Sequence, residues 1–367
     1  MDANYDYNAS FKSISLKLKK RFLRKPNVLD AIEEYTTLSK QLENEECHSL
    51  AGYCMQQVAK SYHSVGNTIS ESLALQTAAK LYLSNEIVST VESGSVTFGE
   101  DLLSTISLYE ECIRLHCEQN ERILAGKLTC ELADILSQKF DKHFESIPYY
   151  EKAIILFSNH TNLFESNSSL QVILTQFKLA SLKVFTCDYS GALNLYTEIE
   201  QSILNKCIQK QENPSNNITS NTANISKAVL SSSVKQEFHS NKPSINQQQI
   251  YNKPIGYYSR LLVESDINKL LLLLYLKPTK MKPEHTSTIE TYSWFQMPTN
   301  YLPITCMDKD LFILLQSFVM ACQSDDSKLL TTLQIELWPH LNDVQNFLID
   351  LITNQLKNSS YTDDLLY

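Results

Sequence analysis

The chain has 367 residues and a formal charge of −9. Apolar residues make up 43% and charged residues 20%, as in ordinary globular proteins. Seven glycines and ten prolines are too few for a sandwich or barrel, which need a turn residue roughly every ten positions. The composition suits long helices, and the acidic balance argues against a nucleic-acid-binding domain.

Segment 10–24 carries Phe11, Ile14, Leu18 and Phe22 on one helical stripe, and Pro26 ends it. Segment 27–44 continues with Val28, Ile32, Tyr35, Leu38 and Leu42, with Asn27 as a plausible N-cap. From about 50 to 206 the chain reads as paired helices of tetratricopeptide type. Such a repeat needs small residues where two helices cross, followed by a small, aromatic, small series. The clearest case is 176–201, with Leu179-Ala180, the turn Asp188-Tyr189-Ser190-Gly191, and then Ala192, Tyr196 and Ile199. Segment 122–157 matches through Ala133, Ser146, Tyr150 and Ala153, with Pro148 expected in the first turn of its helix. Segment 51–83 matches less strictly, through Ala59, Tyr62, Ala74 and Ala78. Helix 100–118 is out of phase with any repeat.

Residues 208–250 are dominated by Asn, Ser, Gln, Thr and Lys, without apolar periodicity. This predicts a disordered linker. Beyond it, 255–276 reads as an apolar helix. Its run Leu270 to Leu276 is too short for a bilayer, which needs about 20 residues, and predicts a wholly buried segment and no membrane insertion. Helices follow at 284–295, 308–323, 326–338 and 342–356. The expected fold is all-α, with stacked tetratricopeptide-like helix pairs favoured over a plain helical bundle without repeats. The expected divisions are a flexible 1–9, a helical part 10–206, a linker 207–252, a second helical part 253–357 and a flexible tail 358–367.

Catalytic signatures are missing. Gly94 and Gly99 have the spacing of a phosphate loop, but Glu100-Asp101 stand where Lys and Ser/Thr are required. Cys112 and His116 share a helix face, yet zinc wants four ligands; a small buried cysteine is the commoner use. Asp308 and Asp310 complement a helix N-terminus. No G-x-S-x-G or H-E-x-x-H occurs, although a triad assembled in space from scattered residues stays open. The expectation is a non-enzyme without metal or cofactor. The nine cysteines are odd in number and show no C-x-x-C. The polar N-terminus has no apolar signal region, so a reducing cytoplasmic setting is expected.

Residues 1–27 carry +5, leaving −14 on the rest. The cations concentrate in Lys17-Leu18-Lys19-Lys20-Arg21-Phe22-Leu23-Arg24-Lys25. Three readings are open: a nuclear-localisation or nucleic-acid patch, a membrane-surface helix, and a solvated or partner-facing helix. The apolar stripe beneath the cations favours the last.

This segment, with Pro26-Asn27-Val28, resembles the N-terminal motif of the family of 40-kDa huntingtin-associated proteins. The likeness continues through Glu71-Ser72-Leu73-Ala74-Leu75, Asp188-Tyr189-Ser190-Gly191-Ala192-Leu193 and Leu270-Leu271-Leu272-Leu273-Leu274. It runs on through Tyr292-Ser293-Trp294, Leu314-Leu315-Gln316-Ser317-Phe318-Val319 and Trp338-Pro339. These blocks are collinear from residue 12 to about 352. The vertebrate linker of the family is proline-rich, unlike the Asn/Ser/Gln-rich segment here, which puts any reader of that linker in doubt.

The resemblance implies an α-helical adaptor clasped by the HEAT repeats of huntingtin in a one-to-one complex. It also implies an effector of an early-endosomal Rab GTPase that recruits huntingtin to endosomes; a nuclear pool is the expectation of the nuclear-localisation reading of the basic segment. Partner contacts are expected from the cations Lys17, Lys19, Lys20, Arg21, Arg24 and Lys25. Apolar contacts are expected from Phe318, Trp338, Phe347 and Leu351 on the last helices. A second reading is a vesicle-fusion adaptor that binds coiled coils without huntingtin.

Overall fold

The computed structural model describes residues 7–19, 27–92, 94, 98–158, 165–212, 256–278, 280, 282–293 and 302–364. Fifteen α-helices and no strand occur among the described residues, so the all-α expectation holds. The chain divides into two compact units, Met1–Leu182 and Lys183–Tyr367.

The first unit holds α1 (Tyr7–Leu18), α2 (Val28–Asn44), α3 (His48–Val65), α4 (Thr68–Ile87), α5 (Glu100–Glu118), α6 (Arg122–Lys139), α7 (His143–Ser158) and most of α8 (Glu165–Phe185). From α1 to α7 each helix packs on the next, the stacking that lets helix pairs share one continuous core. The reversals use single left-handed residues: Glu46, Gly66, Asn120 and Asp141. At α3 the motif is explicit, with the Gly66 and Asn67 amides donating back to His63 and Tyr62 at 3.0 and 3.1 Å. A left-handed residue there satisfies the last carbonyls and turns the chain. Asn67 then caps α4 by accepting from the Ser70 amide at 3.1 Å.

The expected crossing residues Ala59, Ala78, Ala133, Ser146, Tyr150 and Ala153 are buried. The tightest approaches, however, fall at glycines. Gly126 of α6 lies under the Phe157 ring of α7, and Gly52 of α3 lies under Tyr82 of α4. Asn27 departs from its expected role: it makes no side-chain cap bond and donates to the Asp30 carboxylate instead. Pro148 also departs, because α7 begins at His143 and the proline falls one turn inside. There it removes one backbone bond.

The second unit holds α9 (Tyr189–Glu212), α10 (Tyr257–Leu276), α11 (Pro283–Ser293), α12 (Leu302–Cys306), α13 (Lys309–Gln323), α14 (Ser327–Leu337) and α15 (Asp343–Asp364). Helix α10 is the hub, packed on α9, α11, α12 and α15. That position explains its apolar run: Leu270 to Leu274 are all buried, but Tyr275 and Leu276 are half-buried, so the run expected to be wholly buried as far as Leu276 is so only to Leu274. Asp326 caps α14 through the Lys328 and Leu329 amides. Asn342 and Gln345 cap α15 reciprocally, each side chain accepting from the other's amide at 3.0 and 3.1 Å, a capping-box arrangement.

The unit boundary lies within α8, so α9 groups with the later helices and not with 10–206 as a whole. The helical backbone starts at Tyr7 and runs to Asp364, beyond the ends expected at 10 and 357. Most of the 207–252 linker lies outside the described residues.

Candidate protein-docking surfaces

Helix α1 is seated by aromatic contacts. The Phe11 ring lies 5.2 Å from those of both Tyr35 and Tyr53, and Ile14 is buried beside them. Its stripe faces inward as expected, which leaves Lys17 and Lys19 exposed. Lys17 pairs with Glu34 of α2. Asp30, Glu33 and Glu34 line a cleft of about 550 Å³ next to it, so the acidic surface that meets this cation belongs to the chain itself. Lys20, Arg21, Arg24 and Lys25 lie outside the described residues.

In the second unit the four apolar candidates separate. Phe318 is fully buried within α13. It is core, because its stripe with Leu315, Val319 and Cys322 faces inward. Phe347 is half-buried, its ring 5.6 Å from Phe185, and Leu351 is half-buried too. Trp338 is exposed at 55% on the short 3₁₀ turn after α14. Among the large apolar side chains that do face outward are Ile313 and Met320 on α13, Leu329 and Ile335 on α14, and Tyr257 at the start of α10. Reading the stripe selects buried positions. The sequence signal for an outward face is the reverse: an isoleucine or methionine set off the stripe, as Ile313 and Met320 are at a spacing of seven.

The first unit shows the same feature. Leu50 and Tyr53 on α3, Ile69 and Leu73 on α4, and Phe144 and Ile155 on α7 all face outward. The first two pairs have the i, i+3 and i, i+4 spacings of one helix face.

One constellation has the look of a catalytic triad. Ser72 Oγ lies 2.8 Å from His116 Nε2, and His116 Nδ1 lies 2.7 Å from Glu121. Nucleophile, base and orienting carboxylate are thus in series. The surroundings argue for a structural bond. Ser72 is 3% exposed, also receives Gln76 at 3.3 Å, and sits within α4, where its own amide is spent on the helix ladder. Burial pushes the Cys112 thiol up to about 12, and its Sγ lies 3.6 Å from the Ser72 carbonyl, the setting of a small core residue. Among the described residues no group of three His, Cys, Asp or Glu is placed to hold a metal. No described helix is long and apolar enough to cross a membrane. Gly99 is left-handed at the start of α5, and Asp101 behind it accepts from Ser49 and Asn85.

Charge is also buried. Lys269 of α10, at 2% exposure, pairs with Glu200 of α9 and with Asp266 at 3.4 Å. Tyr292 of α11 donates to Asp266 at 2.8 Å. Burial alone would lower the Lys269 pKa, but the Asp266 and Glu200 carboxylates overcome it and hold the ammonium above its ordinary range. The Tyr292 hydroxyl is raised by burial and then by Asp266. This network welds three helices together.

The sequence of the chain is similar to known proteins. A family model described as the soluble NSF attachment protein, SNAP, matches residues 84–213. The 40-kDa huntingtin-associated protein of Mus musculus is 31% identical over 368 aligned positions, covering 95% of this chain and 92% of the relative. That of Rattus norvegicus is 30% identical over the same shares.

Proposed function

Because the chain belongs to the family of the 40-kDa huntingtin-associated protein, we propose that it is a non-catalytic adaptor that binds and stabilises a huntingtin-like HEAT-repeat protein. The observation that carries this reading is similarity along 95% of the chain, joined to helices whose outward faces keep large apolar side chains such as Ile69, Leu73, Ile313 and Ile335. These side chains are poorly served by water. Burying them against a larger solenoid couples the chain's stability to its partner by mass action. A permanent interface of this sort covers more than ~2,000 Å². Trp338 and the N-terminal cations from Lys19 onward remain proposed contacts. Phe347 and Leu351 can join only through their exposed edges, and Phe318 only as support from beneath. The finer role is recruitment of that partner to early endosomes as an effector of a Rab GTPase.

Co-expression with the huntingtin-like protein tests the central claim. The expected outcome is a one-to-one complex on size exclusion and a higher soluble yield than for the chain alone. A chain that stays a stable monomer in the presence of that protein would overturn it.

The match of residues 84–213 to the SNAP model favours a second reading, a vesicle-fusion adaptor that grips coiled coils. Affinity capture separates the two: recovery of a membrane-fusion helical bundle, without a HEAT-repeat giant, selects the second.

A further inference from the structure

The first unit contains an open groove of about 630 Å³ between α5 and α7. Both helices pack on α6, which sits between them in the stack and leaves their edges to form the groove walls. Its floor is core, with Leu102 and Leu136 buried. Its mouth is not: Phe98 is 97% exposed and Leu103 65% exposed, and Ile106 and Tyr149 are half-buried along the walls. A phenylalanine left almost wholly in water at the lip of an apolar groove is the kind of anchor that a partner covers.

The dimensions select the shape of the occupant. The wall residues on α5 run from Leu102 to Glu110, and those on α7 from Glu145 to Lys152. At 1.5 Å per residue these are walls of about 12 and 10 Å. That matches about two turns of a helix laid in by an i, i+3, i+4, i+7 stripe.

The charges select its polarity. Lys142 is answered by Glu145 at 2.9 Å, and Glu110 accepts from the Tyr149 hydroxyl at 2.8 Å. Lys152 is exposed and makes no ion pair among the described residues, so one end of the groove presents an unanswered ammonium.

We propose that the α5–α7 groove docks a short amphipathic helix of the larger partner, its apolar stripe against Leu103, Ile106 and Tyr149, and an acidic side chain against Lys152. This deepens the adaptor reading and rests on it.

The test uses the full chain co-expressed with the huntingtin-like protein. The variants are Leu103→Asp, the pair Phe98→Ser with Leu103→Ser, and Lys152→Gln. These side chains are exposed, so the melting temperature and helical signal of the variants should match those of the parent chain. Binding should weaken about tenfold or more for the first two, as for central anchors. For Lys152→Gln it should weaken less, together with a loss of part of the salt dependence. A photo-crosslinker at position 103 should label a helix of the partner.

A parent complex that forms while all three variants bind equally would overturn the groove but leave the adaptor reading standing. No parent complex at all overturns both. A crosslink to a second copy of this chain would show that the groove serves self-association, against the proposal.

Discussion

Gly126 lies so close to Phe157 that a Cβ placed on it would sit 2.7 Å from the ring's Cε1 atom. The ring is 2% exposed, so an added Cβ must push it against the surrounding core. Helix propensity favours alanine over glycine by about 1 kcal/mol, but overpacking costs about 1–3 kcal/mol. Gly126→Ala should therefore lower stability, and Phe157→Leu in the same chain should recover part of the loss. Thermal unfolding of the chain, alone or in its complex, reads the result. A stabilised Gly126→Ala would show that the two helices slide freely.

Lys269 stands between two buried carboxylates. Lys269→Met leaves Glu200 and Asp266 without their cation and should cost about 3–5 kcal/mol. The double change Lys269→Met with Glu200→Met should recover the part owed to Glu200, while Asp266 stays buried with the Tyr292 hydroxyl. Equal losses for the single and double variants would mean that α9 is held by packing and not by the pair.

Burial, followed by the cations of Lys282 and Lys269, holds His285 below its ordinary value of 6.5, while Glu284 opposes them. Its other neighbour is the Thr197 hydroxyl, 3.4 Å from Nε2. The unfolded chain thus binds the proton first as pH falls. Stability present above about 6.5 is lost as pH drops from there toward the lowered native value. His285→Asn should flatten the melting-temperature profile between about pH 7 and 5. A profile unchanged by the substitution would assign that slope to other groups.

Asn268 is fully buried on α10, and neither its Nδ2 nor its Oδ1 has a hydrogen-bond partner among the described residues. An unsatisfied buried amide costs about 1–3 kcal/mol. Asn268→Leu, close in size, should leave stability unchanged or raise it. A clear loss would reveal that water or the bound partner completes the amide's bonds.

Phe318 and Ile313 lie on opposite faces of α13, one fully buried and the other 57% exposed. Phe318→Ala should cost about 3–5 kcal/mol through the cavity it leaves. Ile313→Asp should leave the melting temperature within about 0.5 kcal/mol equivalent of the parent but reduce capture of the HEAT-repeat partner. If Ile313→Asp binds as well as the parent chain, the outward face of α13 is not part of the interface.

Much of the fold was legible before any coordinate. The helices at 28–44, 257–276 and 309–323 follow from the spacing of Ile32, Tyr35 and Leu38, of the Leu270 run, and of Leu315, Phe318 and Val319. Helix α12 was missed because five residues give no period to read. The candidate contacts were less legible. Phe318 looked like a contact because a stripe marks which face is apolar and not what covers it. Lys17 looked available because Glu34 lies 17 residues away on another helix.

Residue spacing alone decided that this chain is helical, that its pairs stack, and that Leu270 to Leu274 are buried, because helix periodicity is a property of neighbours within a few residues. The helices' partners were decided only by tertiary structure. Glu200, Thr197 and Gln201 bind α9 to α10 and α11 through Lys269, His285 and Glu284. Those bonds join residues 69 to 88 positions apart, a range at which no local pattern carries information and only three-dimensional packing chooses.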